Sequence, residues 1–157
     1  MKVRGFSLLE LIMVMAIMAI LLSVGIFKAN PLETYKAKNQ IKELALNIDY
    51  VRNFSQKTGI RSSLLINNEG YSFDLGGENN EIKFSKLLEV YEKNLDKITF
   101  TELGKPAFPK ESNTSGHIIF KIRDKFYKIT VVPVTGKVNF YNNYTLEDEE
   151  KNGGENF

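Results

Sequence analysis

The chain has 157 residues, a length that fits one folded domain, and its hydrophobic and charged fractions, 43% and 25%, are ordinary for a globular protein. The formal net charge is +2, and setting aside Lys2 and Arg4 leaves 19 basic against 19 acidic residues, so the body has no overall field to draw in nucleic acid or an acidic surface. There is no cysteine, which excludes disulfides, thiolate catalysis, iron–sulfur clusters and cysteine-based zinc sites.

From Phe6 to Phe27 the chain is apolar except for Ser7, Glu10, Ser23 and Gly25. Such a run, as a helix rising about 1.5 Å per residue, is about 33 Å long, close to the ~30 Å hydrocarbon core of a bilayer. Lys2 and Arg4 precede it, and positive charge stays on the cytoplasmic side. The expectation is a single-pass segment over 6–27, N-terminus inside and body exported. A cleaved secretory signal fits poorly, because the run is too long and no small-residue cleavage site follows it. A plain signal anchor explains the length but not Glu10, since a carboxylate in hydrocarbon costs a few kcal/mol or more and needs a partner. A position at the headgroup boundary is the bland account of Glu10.

The opening MKVRG-FSLLELIMVMAIMAILLSV resembles the N-terminus of type IV pilin-like proteins: a short basic leader ending in glycine, then phenylalanine, then an apolar run with glutamate five residues in. That resemblance implies cleavage between Gly5 and Phe6 by a prepilin peptidase, N-methylation of Phe6, and an assembly role for Glu10, whose carboxylate pairs with the N-terminal amine of a neighbouring subunit. It also implies other pilin or pseudopilin subunits and an inner-membrane assembly platform as partners. The place would be the bacterial cytoplasmic (inner) membrane, with the head extracytoplasmic and incorporated into a pilus or pseudopilus. Many family members have a proline about where Phe27 stands; here Gly25 comes earlier and Pro31 later, so Asn30–Pro31 is where the helix is expected to bend or break.

Beyond Pro31 the pattern becomes one-sided. Ile41, Leu44, Ala45, Ile48, Val51 and Phe54 recur at three- and four-residue steps, predicting an amphipathic continuation over 28–58 that ends at Thr58–Gly59. RSSLLI and YSFDL, joined by NNEG, predict a hairpin over 61–75, and GGENNE (76–81) reads as a polar loop. The segment 84–100 is ambiguous: Ser85 suits the cap of a short helix, but extended structure ending in the strand KITF is favoured. TELGKPAFPKESNTSG (101–116) reads as loop. HIIFKIR, FYKITVVP and KVNFY then predict a three-stranded antiparallel meander, and an acidic tail over 144–157 reads as disordered. The expected class is α+β: a basic leader over 1–5, a long N-terminal helix, and a β-rich head over 59–143.

The head is similar, more weakly, to the H-type minor pseudopilin of type II secretion and related minor pilins. Arg61 opening the first strand and Thr135–Gly136–Lys137–Val138 in a closing turn match that group.

No enzymatic motif stands out. His117 is the sole histidine and opens a predicted strand, and neither nucleotide-binding, hydrolase nor metal-ligand spacing is present, so no catalytic residue, metal or cofactor is expected. The leading expectation is a structural subunit of a type II secretion pseudopilus or type IV pilus. Two alternatives stay open. One is a plain single-pass anchored domain. The other is a competence-type minor pilin taking up DNA, for which Lys121, Arg123, Lys125, Lys128 and Lys137 would supply phosphate contacts. Against the latter, the terminal turn carries one lysine where DNA-binding relatives have arginines, and the acidic tail would compete.

Overall fold

The computed structural model describes residues 7–29, 31–75, 77–107 and 114–145. The chain divides into two compact units, Met1–Glu33 and Thr34–Phe157, each taken here by itself.

The first unit is built on helix α1, Leu8–Ala29. Ser7 caps it: its carbonyl accepts the amides of Glu10 and Leu11 at 3.1 and 3.2 Å, and its hydroxyl accepts the Glu10 amide at 3.2 Å. Unpaired amides at a helix N-terminus favour such a partner and a nearby carboxylate. The Ser23 hydroxyl returns to the carbonyl of Ile20 at 2.8 Å, which satisfies a polar group on an apolar helix. Among the described residues no helix is long and apolar enough to cross a membrane. The expected span of 6–27 is only partly covered by that statement, because it includes Phe6, Leu22 and the side chains of residues 24–27, which lie outside the described set.

Helix α2 runs Pro31–Thr58, with proline at its first position, where a missing N–H costs nothing. The expected continuation over 28–58 is therefore shortened at its start: residues 28 and 29 close α1, while the expected bend at Asn30 lies outside the described residues. Its buried stripe is Ala37, Ile41, Leu44, Ile48, Val51 and Ser55. Phe54, expected on that stripe, is only half-buried. Steps of four and three residues carry the stripe from Ala37 to Ser55, whose hydroxyl bonds back to the Val51 carbonyl at 3.2 Å. The helix ends where Gly59 adopts a positive φ of 67° and donates to the Ser55 carbonyl at 2.9 Å.

Among the described residues eight antiparallel strands follow: β1 Ser62–Ile66, β2 Gly70–Leu75, β3 Glu78–Lys83, β4 Glu89–Lys93, β5 Lys97–Phe100, β6 Gly116–Ile122, β7 Lys125–Val131 and β8 Val138–Tyr144. They form two four-stranded sheets, in the orders β3-β2-β1-β5 and β4-β6-β7-β8. The expected hairpin and meander are both present. One apolar cluster joins the α2 stripe to Leu64, Tyr71, Phe73, Ile98 and Phe100 of the first sheet and to Ile118, Phe120, Tyr127, Ile129 and Val131 of the second.

Two expectations are corrected, and the choice left open over 84–96 falls to the favoured extended form. The loop over 76–81 contains most of β3, which pairs with β2 from Gly70↔Lys83 to Leu75↔Glu78. Its side chains are nearly all exposed, so it carries no apolar alternation; backbone pairing along an edge sufficed to make it a strand. In 84–96 no helix forms. The Ser85 carbonyl accepts the Leu88 amide at 2.9 Å in a single turn, and Glu89–Lys93 pairs with β6 through a bulge at Tyr91. Finally, β8 continues through Tyr144, which the tail was expected to include. Within 101–116, Phe100 and Pro106 form an isolated bridge and Gly116 already belongs to β6, while residues 108–113 lie outside the described set.

Candidate functional site

Gly5 and Phe6, the expected processing residues, lie outside the described residues. Glu10 sits in the first turn of α1, its amide held by Ser7. Ser7-x-x-Glu10 is therefore a helix-start signature, a signal legible in the sequence that the apolar reading passed over. The carboxylate lies where the helix dipole favours negative charge by about 0.3–1 kcal/mol. Around it the apolar side chains of α1 are exposed within the chain, from Leu8 at 78% to Val14 at 48%. A helix of this composition with nothing of its own to cover it presents its surface to lipid or to other chains.

The five basic residues considered for DNA contact fall on two ends of the second sheet. Its outer face carries rows set by strand register. Glu89, Lys121, Phe126 and Tyr144 form one row, and Glu92, Ile119, Lys128 and Tyr141 the next. Arg123 occupies the two-residue turn after β6 with a positive φ of 55°, and Lys125 opens β7; both are exposed. Lys137 stands at the far end of the meander, about 20 Å along β7 at ~3.3 Å per residue. The structure thus brings Lys121, Arg123, Lys125 and Lys128 toward one end and separates Lys137 from them.

Aromatic rings accompany these cations. Lys121 Nζ lies 5.8 Å from the Phe126 ring centroid, and Lys128 Nζ 4.6 Å from that of Tyr144, whose hydroxyl it also meets at 3.1 Å. Tyr91 meets Phe126 edge to face at 5.0 Å. Beneath them Ile119 is fully buried although it faces away from the main core. Periodicity assigns Ile119 to the solvent side of β6. Its burial is a tertiary outcome that no local pattern encodes.

His117 lies on the β4–β6 rung, with its Nε2 3.3 Å from Glu92 Oε1 and its amide donating to Asn94 Oδ1 at 2.7 Å. The two head motifs have structural roles. Arg61, immediately before β1, pairs with Glu102 at 3.1 Å. The Glu102 carboxyl is held below the usual carboxylate range by its own backbone amide first, with Arg61 adding to the effect. Gly136 is buried at a φ of 65°, and a Cβ there would stand 3.0 Å from the Phe100 ring and 3.1 Å from the Gly104 carbonyl oxygen. The closing turn therefore presses on β5 of the other sheet, a contact that requires glycine. Among the described residues no cluster of histidine, aspartate and glutamate is arranged to hold a metal ion.

A family model for the prokaryotic N-terminal methylation motif matches residues 1–26. The fold is similar to that of a solved structure, the type IV minor pilin FimU of Pseudomonas aeruginosa. One crystal form is 14% identical over 69% of this chain and 90% of that one, with a TM-score of 0.55. A second crystal form is 15% identical over 68% and 93%, with a TM-score of 0.54. The fold is pilin-like. The chain's N-terminal motif and its α+β fold agree on this independently, because the motif ends at residue 26 and most of the fold lies beyond it. No curated protein sequence matches the chain.

Proposed function

We propose that this pilin-like chain is a structural minor subunit of a helical filament, a type IV pilus or a type II secretion pseudopilus. On this reading prepilin peptidase cuts between Gly5 and Phe6, the new amine of Phe6 is methylated, and residues 6–27 hold the subunit in the cytoplasmic membrane until assembly. The observation that carries it is the coincidence of the methylation motif over 1–26 with an exposed apolar helix whose one carboxylate, Glu10, sits in its first turn. In the membrane the carboxylate stays near the headgroups and the capped helix end. In a filament, apolar helices pack side by side and Glu10 pairs with the terminal amine of a neighbour. An unpartnered charge in hydrocarbon costs several kcal/mol, so that pairing selects one stagger between subunits.

The deciding experiment is mass spectrometry of the N-terminal peptide of protein recovered from membranes. A peptide beginning at methylated Phe6 supports the reading. An intact Met1 leader in mature protein overturns it in favour of a plain anchored domain.

Nucleic-acid capture has one observation in its favour, the gathering of four cations toward one end of the second sheet, two of them, Lys121 and Lys128, beside aromatic rings. Against it, Lys137 stands apart, Glu89 lies opposite Lys121, and the body carries no net field. The structural-subunit reading is the better supported.

A further inference from the structure

Among the described residues the outer strands of the two sheets are β3, β5, β4 and β8, and the first three are guarded. β3 carries Glu78, Glu81 and Lys83 along its six residues. β4 is bulged at Tyr91 and carries Glu89, Glu92 and Lys93. β5 is met by its own chain returning, through the Phe100–Pro106 bridge and the Ala107 amide, which donates to the Thr99 carbonyl at 2.8 Å. Charges, bulges and covering segments are the usual protection of an exposed edge. β8 has no such device between Val138 and Asn142. It holds no charged residue and no proline, and among the described residues it pairs with β7 alone. Its irregularities sit outside that stretch, at Gly136 and Asn143, with positive φ of 65° and 60°. The Lys137 carbonyl accepts the Val132 amide at 2.9 Å. An antiparallel ladder alternates, so Asn139 and Tyr141 turn their backbone groups to β7, while Val138, Phe140 and Asn142 turn theirs away from the sheet.

Beside this edge lies an apolar groove of about 330 Å³, lined by Ala45, Leu46, Val138 and Phe140, with Lys42 and Asp49 on its α2 wall. α2 runs antiparallel to β8 along it. Toward one end, Lys38 Nζ lies 5.9 Å from the ring centroid of Tyr127, the strand partner of Asn142. Toward the other, Gln56 donates to the Leu103 carbonyl at 3.1 Å, in the turn whose Gly104 carbonyl faces Gly136. Lys42 therefore stands toward the Asn142 end of the groove and Asp49 toward the Val138 end, about 10 Å apart along the helix axis.

We infer that β8 is a docking edge for an extended segment of another protein, which adds antiparallel to it as a fifth strand of the second sheet. The outward N–H and C=O groups of Val138, Phe140 and Asn142 call for extended backbone, since a helix has already spent its own. Residues paired across strands share a face, so the residues opposite these three place their side chains over the groove. Charge complementarity then states the segment. An acid opposite Asn142 reaches Lys42, an apolar residue opposite Phe140 covers Ala45 and Leu46, and a base opposite Val138 reaches Asp49. The pattern is acid-x-apolar-x-base. A second copy's β8 does not supply it, because that strand is uncharged. The inference uses neither α1 nor the N-terminal motif and stands apart from filament assembly.

The probe is the synthetic peptide acetyl-Gly-Thr-Glu-Thr-Val-Thr-Lys-Thr-Gly-amide, added to the full-length, nitrogen-15-labelled chain in detergent micelles. Amide hydrogen exchange is the readout. In the free chain the amides of Val138, Phe140 and Asn142 should exchange faster than those of Asn139 and Tyr141. Peptide at millimolar concentration should slow those three several-fold and leave the amides of β3 unchanged. The same peptide N-methylated at its Glu, Val and Lys cannot donate to the edge and should have no effect. A peptide with Glu and Lys exchanged should act several-fold more weakly, and the double variant Lys42→Glu/Asp49→Lys should reverse that preference. Asn142→Pro removes one outward donor while sparing the ladder to β7, and should weaken the effect. The Lys42 and Asp49 substitutions are at exposed and half-exposed positions, and unchanged amide shifts elsewhere verify that the fold is kept. No slowing by the peptide, equal slowing by its N-methylated form, or no preference between the two charge orders would overturn the proposal. So would protection of the three amides in the dilute free chain, which places the cover within the molecule. Protection that grows with chain concentration alone would give the edge to a second copy and overturn it too.

Discussion

The side-chain amide of Asn47 donates to the hydroxyl of Tyr71 across 2.8 Å, joining the middle of α2 to β2. Tyr71 is 1% exposed, and its ring lies near those of Phe73 and Phe84. Burial pushes its ionisation up from 10.0 to about 12, against the opposing hydrogen bond from Asn47 and with a small assisting effect of Glu43. A raised pKa means that the folded state keeps its proton longer. The stability this provides is complete below pH 10 and is lost as pH rises from about 10 to about 12. The loss is at most one proton's worth, about 1.4 kcal/mol per pH unit. Tyr71→Phe should flatten the alkaline limb of a stability profile measured by urea unfolding; an unchanged limb would show that another group controls it.

Gly136 is the second point of leverage. Its positive φ strains any side chain, and the nearness of Phe100 and the Gly104 carbonyl crowds a Cβ. Gly136→Ala should destabilise the head by about 1–3 kcal/mol, through backbone strain and overpacking together. Urea midpoints measure it. Gly77 also has a positive φ, of 100°, but with nothing close to its Cβ direction, and Gly77→Ala should cost less.

Leu44 is fully buried in the centre of the α2 stripe. Leu44→Ala should lower stability by about 2–5 kcal/mol, the usual range for a core leucine. Leu46, two residues on and 68% exposed, provides the contrast. Leu46→Ala should change the same measurement by about 0.5 kcal/mol or less.

At the N-terminus, capping and assembly can be separated. Ser7→Ala removes the hydroxyl that accepts the Glu10 amide and should weaken the α1 start by about 1 kcal/mol, seen as faster amide exchange over the first turn. Glu10→Gln keeps side-chain length and loses charge. It should insert and be processed normally yet enter filaments poorly, assayed by sedimentation of sheared filaments. Normal incorporation would remove the proposed charge pairing. Gly5→Ala should slow leader removal, read on the same preparations as a mass shift.

Much of the architecture was legible locally. The apolar run of α1 shows in its composition, and the three-four stripe of α2, the hairpin and the closing meander each bury a face whose period can be counted in the chain. Glu10 stood out because a carboxylate in an apolar run lacks a local partner, while the helix-start signal of Ser7 three residues before it is hidden by the apolar pattern. Less legible was β3: Asn79, Asn80 and Glu81 are exposed, and a strand held by one neighbour's backbone leaves no trace in side-chain pattern. The ambiguity of 84–96 has a similar origin. Leu88 and Leu95 are buried at spacings that suit either a helix or a bulged edge strand, and pairing with β6 chose the strand.

The sequence by itself determined what depends on short range: the N-terminal motif, the apolar helix, the amphipathic helix and the alternating strands. Only the tertiary structure decided which distant residues meet. It set Gly136 against Phe100, covered Ile119 on an outer face, and parted Lys137 from the other four cations. The physical reason is that side-chain periodicity records which face of an element is buried, whereas strand order, bulges and register are settled by backbone pairing, which is nearly the same for every residue type.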